Sequence, residues 1–477
     1  MIDESLLYRA IDEAARLGAS YAEARYHSLN VFNFYLLNGK VIGGSYSDST
    51  GVSVRVYVGG GQGFASASTI SWESIADTVK RAISAARTSA TSRKSPARLA
   101  PARLGTAKYS VAEKKPLSSI SEDAKILTVR EALNGVEMKK GDMEIESHTV
   151  AYRESVEEKV IANTDGAFVA SRVPRVEVFY NLTGKHGALR ANRWRELGGS
   201  GGLEVLDGMD LASSIQDDVD SLHVNLVKAR NMEGTRRLDV VLSPEIVGLS
   251  VHESAGHPSE ADRVLGREAA QAGLSYRTEM GEGERIGSEH VTIIDDPTIP
   301  GSMGFYLYDD EGVAARPRVL IDKGVLRELL HNRETAASFG VESNAASRAL
   351  DYRSEPIVRM ANTYMAPGDY SLDEMLEDIK DGVYIKKYME WNIDDKRWIA
   401  RYVGLEAYRI RNGRIEEPLK NVVLEISTRD YYGRIDAVGK DLRFEAGSCG
   451  KGEPMQPLPV WMGGPHVRLR GVEVKGA

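Results

Sequence analysis

The sequence predicts an α+β protein in two parts. Residues 1–230 form an N-terminal domain of antiparallel sheets with flanking helices, and residues 231–477 form a β-rich domain, barrel- or sandwich-like, that carries a helix bearing a metal motif. Three observations predict this. Asn38-Gly39 and Asp165-Gly166 are strong hairpin signals set between apolar runs. The order helix, strands, helix occurs twice before residue 230, as a pseudo-repeat. Beyond that point short strands separated by turn pairs dominate.

The elements follow in order. Leu7, Ala10, Ile11, Ala14 and Leu17 keep the 3.6-residue period of a helix, and Gly18 sits where a C-cap glycine belongs. Residues 31–37 and 40–45 flank Asn38-Gly39 as strands. Val52, Val54, Val56 and Val58 alternate as on a half-buried strand. Gly59, Gly60, Gly61 and Gly63 close it as a turn; their spacing is not G-x-G-x-x-G, and no helix or basic residue follows directly. A second helix starts at Ser71 as N-cap and runs through Ile75, Val79, Ile83 and Ala86. Residues 87–108, rich in Ser, Ala, Arg and Pro, read as a linker or long loop. The order then repeats, with a helix over about 121–136, strands near 144–152, 156–163, 167–173 and 176–182, and a helix near 211–229. Each half thus reads as helix, four antiparallel strands, helix. The glycine-rich run 198–202 reads as a flexible loop.

After a strand at 238–242, one helix leads to the motif described below. Strands are expected at 291–294, 318–321, 325–329, 383–388, 402–410 and 422–426, with Asn412-Gly413 among the turns. A short helix interrupts them, with Ser371 as N-cap, Glu374 completing a capping box and Gly382 as stop.

The chain has 477 residues, 42% of them hydrophobic and 27% charged, which is the balance of a soluble globular protein of more than one domain. A net charge of -8 argues against nucleic acid as the main partner, because phosphate binding calls for a basic surface. One cysteine rules out a disulfide within the chain and suits a reducing compartment. The N-terminus, Met-Ile-Asp-Glu, lacks the basic and apolar regions of a secretory signal. No apolar run approaches the roughly 20 residues of a membrane helix. A cytoplasmic protein with no membrane partner is the expectation.

Ser243-Pro244-Glu245 opens a helix well: serine caps, proline sits at N1, and the acid faces the positive end of the dipole. The helix leads to His252-Glu253-Ser254-Ala255-Gly256-His257-Pro258. Two histidines with a glutamate beside the first are the core of a hydrolytic zinc site, in which neutral imidazoles bind the ion and the carboxylate handles a water proton. The spacing is H-E-x-x-x-H. Residues i and i+4 lie about 40° apart around a helix, whereas i and i+5 lie about 140° apart. A regular helix would therefore scatter the two rings. A π-type turn, or a helix ending between them, would bring them together. Gly256 and Pro258 supply the needed irregularity. The plainer alternative is two ordinary helix histidines.

Catalytic zinc wants a third protein ligand and an open position. Cys449, Glu260, Asp262, His290, His331 and His466 are candidates. Cys449 lies in Gly447-Ser448-Cys449-Gly450-Lys451-Gly452, a run too glycine-rich for a packed strand, where a thiolate would be accessible to zinc. The alternative there is an incidental buried thiol. Glu260 and Asp262 fit better as groups that orient the imidazoles.

With these residues the chain resembles the TldD branch of the TldD/PmbA family. The likeness rests on Glu233 through Glu245, His252 through His257, Asp309-Asp310-Glu311-Gly312, Arg359 through Tyr364 and Gly447 through Lys451, all in the family's order. It covers most of the chain and is strongest from about residue 230 onward. One departure is Pro258, where a small residue is expected. The resemblance implies a metal-dependent peptidase acting on small or unfolded peptides. It implies zinc held by His252, His257 and Cys449, with Glu253 as general base. It also implies a hollow dimer with the site inside, either a homodimer or a heterodimer with a sister chain that lacks the metal motif.

On this reading zinc acidifies water, and Glu253 takes its proton and returns it to the leaving amine. Tyr306 and Tyr364 are candidates for stabilising the oxyanion, and with Asn362 for binding substrate. The extended segment 356–364 could accept a peptide as an added strand. Asp309, Asp310 and Glu311 read as surface turn residues. Two other readings compete: a non-hydrolytic maturation or assembly protein with a structural or vestigial metal site, and another zinc hydrolase such as an amidase. The intact Glu253 favours hydrolysis, since a structural site needs no base.

Overall fold

The first helix, Ser5–Arg16, buries Leu7, Ala10, Ile11 and Ala14, the face its period marks out. It packs with the helix Trp72–Ser92 on the strands Tyr21–Leu37, Lys40–Val58 and Gly61–Ala67, forming one core. A second unit repeats the order with the helix Glu122–Asn134, the strands Met143–Asn163, Phe168–His186 and Leu189–Ser200, and the helix Leu211–His223. The computed structural model describes residues 2–93, 95–268 and 273–476.

Each unit contributes three long strands rather than four shorter ones. Segments 40–45 and 52–58 are one strand, Lys40–Val58, and the four expected in the second unit are two, Met143–Asn163 and Phe168–His186. The alternation lapses at 46–50 because that stretch is largely exposed, so only backbone pairing with Tyr21–Leu37 keeps it extended. The units share a single eight-stranded sheet, joined where Tyr21–Leu37 pairs antiparallel with Met143–Asn163. The stretch expected as a linker begins as helix, to Ser92, and ends in Thr106–Ser110, which adds in parallel to Phe168–His186; position 94 lies outside the described residues. The 198–202 run is also not a free loop. Gly198 and Gly199 belong to Leu189–Ser200, and a Cβ on Gly199 would stand 2.7 Å from the Gly301 carbonyl oxygen.

The C-terminal region holds a closed five-stranded barrel. Its strands Asp381–Ile393, Thr235–Leu242, Val467–Gly476, Val422–Ser427 and Ile399–Arg411 pair in that order, and the last pairs back with the first. Beside it lies a six-stranded sheet in the order Val325–Leu326, Arg318–Asp322, Ile293–Asp295, Asn362–Met365, Leu458–Gly464, Arg443–Cys449. The helix Pro244–Val251 leaves the barrel strand Thr235–Leu242 and packs on Leu458–Gly464. Apart from Glu245 it is buried along its whole length, which explains its uniformly apolar sequence. Gly248 permits the close approach: a Cβ there would meet the Met462 carbonyl oxygen at 2.9 Å. No helix is long and apolar enough to cross a membrane among the described residues.

Asp309, Asp310 and Glu311 are buried, not surface turn residues. Asp310 pairs with Lys159 at 2.9 Å and Arg25 at 3.4 Å, and Glu311 with Arg55 at 2.6 Å. These partners lie on the N-terminal sheet, so Asp310 and Glu311 fasten the two regions together, while Asp309 accepts from the Glu311, Val313 and Ser347 N–H groups. Nothing local in the sequence marks partners that far away.

Candidate metal centre

The helix Pro244–Val251 does not continue regularly into the motif. Residues His252–Gly256 form a π turn, and His257–Ser259 a 3₁₀ turn. The wider turn brings the i and i+5 rings to a centroid separation of 4.9 Å at 77°. Gly256 leaves room there for its neighbours. A Cβ would fall 2.0 Å from Met360 Sδ and 3.2 Å from Thr363 Oγ1, so the turn lies hard against the neighbouring strand.

Cys449 completes the cluster. One donor atom from each of His252, His257 and Cys449 lies within 4.8 Å of the others. All three residues are buried, at 3%, 4% and 6% exposure. The cysteine sits at the end of a paired strand, Arg443–Cys449, rather than in the loop its glycines suggest. Its Sγ is 3.5 Å from His257 Nε2. Donors about 2.3 and 2.0–2.1 Å from one tetrahedral zinc would be about 3.6 Å apart, so this donor pair fits the ion without rearrangement. His252 Nδ1 is buried with no hydrogen-bond partner among the described residues, so no protein group there fixes the ring.

The electrostatics suit a cation. Burial holds the pKa of both imidazoles below the usual value, against the pull of nearby acids, which favours the neutral, ligating ring. Burial pushes the Cys449 thiol up, but the His257 ring, in its protonated form, and the Arg359 guanidinium outweigh it and bring the thiol to about 7. Arg359 also donates to the Cys449 carbonyl oxygen. Glu260 Oε2 lies 3.0 Å from His257 Nδ1 and accepts from Arg263 Nε at 2.7 Å. Against the cost of burial, Lys451, His257 and Arg263 keep that carboxyl well below the usual range. An ionised Glu260 fixes the proton of His257 on Nδ1 and turns the Nε2 lone pair toward the cysteine. Asp262 serves one step further out, accepting from Lys451 Nζ at 2.6 Å.

Glu253 sits beside the cluster at 6% exposure, and its Oε2 accepts from Arg397 Nη1. Arg397 gives no sequence signal: Asp394-Asp395-Lys396-Arg397 reads as a charged turn. The remaining histidine candidates are elsewhere. His290 is exposed, His331 contacts Thr335 Oγ1 and Phe339, and His466 bridges Asp441 and the Tyr384 hydroxyl.

The three residues expected at substrate have other contacts. The Tyr306 hydroxyl donates to the Ala345 carbonyl oxygen at 2.7 Å and accepts from Arg318. Asn362 is fully buried: its amide donates to Asp296 O and Ser302 Oγ, and its Oδ1 accepts from the Gly304 and Trp461 N–H groups. Tyr364 is half-buried and packs its ring edge-on against Phe444. The strand Asn362–Met365 is paired on both sides, so no edge is open there for an added peptide strand.

Comparison with known proteins gives family matches along most of the chain. Residues 22–86 match PmbA/TldA metallopeptidase domain 1, residues 115–226 the central domain, and residues 235–476 the C-terminal domain. A protein of Methanothermobacter thermautotrophicus named metalloprotease is 38% identical over 330 residues, covering 69% of this chain and 70% of that one. A Saccharolobus solfataricus protein named zinc metalloprotease TldD homolog is 27% identical over 478 residues, covering 98% of this chain and 100% of that one. The crystal structure of TldE from Thermococcus kodakarensis shares the fold, with a TM-score of 0.78 at 15% identity, covering 99% of this chain and 100% of that one.

Proposed function

The chain belongs to the PmbA/TldA metallopeptidase family, and on that premise we propose that it is a zinc-dependent peptidase hydrolysing small or unfolded peptides, with Glu253 as general base. The observation that carries the reading is the convergence of His252, His257 and Cys449 beside Glu253. Three protein donors, with no fourth His, Cys, Asp or Glu in the group among the described residues, suit a catalytic site with an open position. The burial of all four side chains favours extended or short substrates, because a folded surface could not reach them.

His252, His257 and Cys449 would hold the ion. When bound, it supplies Lewis acidity, which acidifies water and offsets negative charge on a polarised carbonyl. Glu260 keeps His257 in the ligating tautomer. Glu253 Oε2 is engaged by Arg397, so Oε1 is the oxygen that takes the water proton and later gives it to the leaving amine. The chain would act in the cytoplasm as a homodimer, or as the motif-bearing half of a heterodimer.

Metal analysis and cleavage of an unfolded protein and a peptide library by wild type and Glu253→Gln test this. The proposal stands if the variant keeps its metal and loses cleavage. Metal-loaded wild type that cleaves nothing would instead support an assembly or maturation role.

A further inference from the structure

Glu253 is held from a distance of 144 residues in sequence. The barrel strands Asp381–Ile393 and Ile399–Arg411 are joined by a tight tip, and Arg397 in that tip carries its guanidinium to Glu253. The backbone of Arg397 is left-handed, with φ of 62°, a region a non-glycine residue adopts only when its surroundings impose it. Here they do. Arg397 N–H donates to Asp394 O at 2.9 Å, Thr428 Oγ1 donates to Arg397 O at 2.9 Å, and Thr428 N–H donates to Trp398 O at 2.7 Å. The Trp398 ring packs on Tyr276, whose hydroxyl donates to Ser254 O at 2.9 Å inside the π turn. Tyr276 N–H donates to Lys396 O at 3.0 Å. Tip and turn are therefore braced together through Tyr276 as well as through Arg397. The Arg397 guanidinium meets Glu253 as its carboxylate partner, and its Nε is buried with no partner among the described residues.

Glu253 directly follows a metal ligand, and carboxylate oxygen binds zinc readily. Left unrestrained, it could become a fourth ligand and close the open position. We propose that Arg397 is a positioning residue of the peptidase site: it holds Glu253 Oε2, leaves Oε1 for proton transfer, and keeps the carboxylate out of the His252, His257 and Cys449 ligand set. The inference rests on the peptidase reading above.

The test uses the full chain as wild type, Arg397→Ala, Arg397→Lys, Glu253→Gln and the double variant Glu253→Gln/Arg397→Ala. Each is loaded with Co2+ for visible absorption and with Zn2+ for affinity and kinetics. Arg397→Ala is expected to lower kcat by about 10-fold or more with KM within about twofold, the pattern of a lost transition-state group. It is also expected to alter the Co2+ spectrum and tighten metal binding, as Glu253 joins the ion. Arg397→Lys should keep the wild-type spectrum and recover part of kcat, and it carries the test if the alanine variant does not fold. In the Glu253→Gln background, removing Arg397 should change neither spectrum nor residual rate. A wild-type spectrum and kcat in Arg397→Ala would overturn the proposal. So would a raised kcat, or a spectral change that persists without the Glu253 carboxylate. Full activity in Glu253→Gln would instead remove the peptidase mechanism, while the Co2+ spectra would still report whether Arg397 restrains the carboxylate.

Discussion

Gly256→Ala tests the geometric core of the site. The added Cβ would stand 2.0 Å from Met360 Sδ and 3.4 Å from its Cε. Ordinary contact is about 3.5–4.0 Å, so the sulfur, the turn or both must give by about 1.5–2 Å. Met360 is 1% exposed, so its side chain has little free space to retreat into. Overpacking of this kind costs about 1–3 kcal/mol. Part of the movement falls on the π turn and carries His257 Nε2 away from the Cys449 sulfur. Metal affinity should then drop by about 10–100-fold, as when a ligand loses its orientation. Competition with a chromophoric chelator measures the affinity, and thermal unfolding measures the stability. Adding Met360→Ala removes the obstructing sulfur and should restore affinity relative to Gly256→Ala, though the stability cost of the smaller side chain remains. Wild-type affinity and stability in Gly256→Ala, or no recovery in the double variant, would refute the claim that this close approach sets the ligand geometry.

Cys449 sets a pH signature. With its folded pKa near 7 and an unfolded value of about 8.5, the folded metal-free chain binds fewer protons between them, so this group's stabilisation grows as pH rises from 7 and is complete above about 8.5. Alkylation of the metal-free chain should show a midpoint near 7, and metal affinity should weaken as pH falls below it; a midpoint above 8 would contradict the electrostatic account. Glu260→Gln should weaken metal binding by about 10–100-fold, because His257 Nδ1 loses its anionic acceptor, and isothermal titration would detect it. Arg55→Met leaves Glu23 and Glu311 buried beside each other without their shared cation and should lower unfolding free energy by about 3–5 kcal/mol in denaturant melts. Metal affinity in that variant should stay unchanged, since the contact lies at the seam with the N-terminal sheet.

The local code was readable where one residue decides the structure. Ser71 and Ser371 cap the helices they were expected to cap, Ser243 holds its N-cap position without a side-chain cap bond, and Asn38-Gly39 makes its hairpin. The H-E-x-x-x-H spacing demanded a distorted turn, and a π turn is present. What was not legible depends on pairing between distant segments. Strand lengths were underestimated because exposed stretches such as 46–50 are held by neighbours and not by their own alternation. The six-stranded sheet turns Gly447-Ser448-Cys449 into strand despite its glycines, because Leu458–Gly464 supplies the ladder. The acids at 309–311 do form a turn, but a buried one, and the basic residues that pair with Asp310 there are 151 to 285 positions away.

The same distance problem hides how the site is braced. Three residues at the centre are each held by an arginine from a different element: His257 through Glu260 by Arg263, Cys449 by Arg359 at its backbone carbonyl, and Glu253 by Arg397. Each contact restrains a residue that stands two steps or fewer from where the ion would sit, so the ordering is done before any ion arrives. His252 lacks such a brace. It follows the regular helix directly, and its buried Nδ1 has no partner among the described residues. A ring without a protein partner can turn to an ion directly, whereas a fully satisfied ring would have to break a contact first. The sequence names the ligands because their chemistry is rare, and Arg263 stands three positions from Glu260, but Arg359 and Arg397 reach the site only once the fold has brought them in.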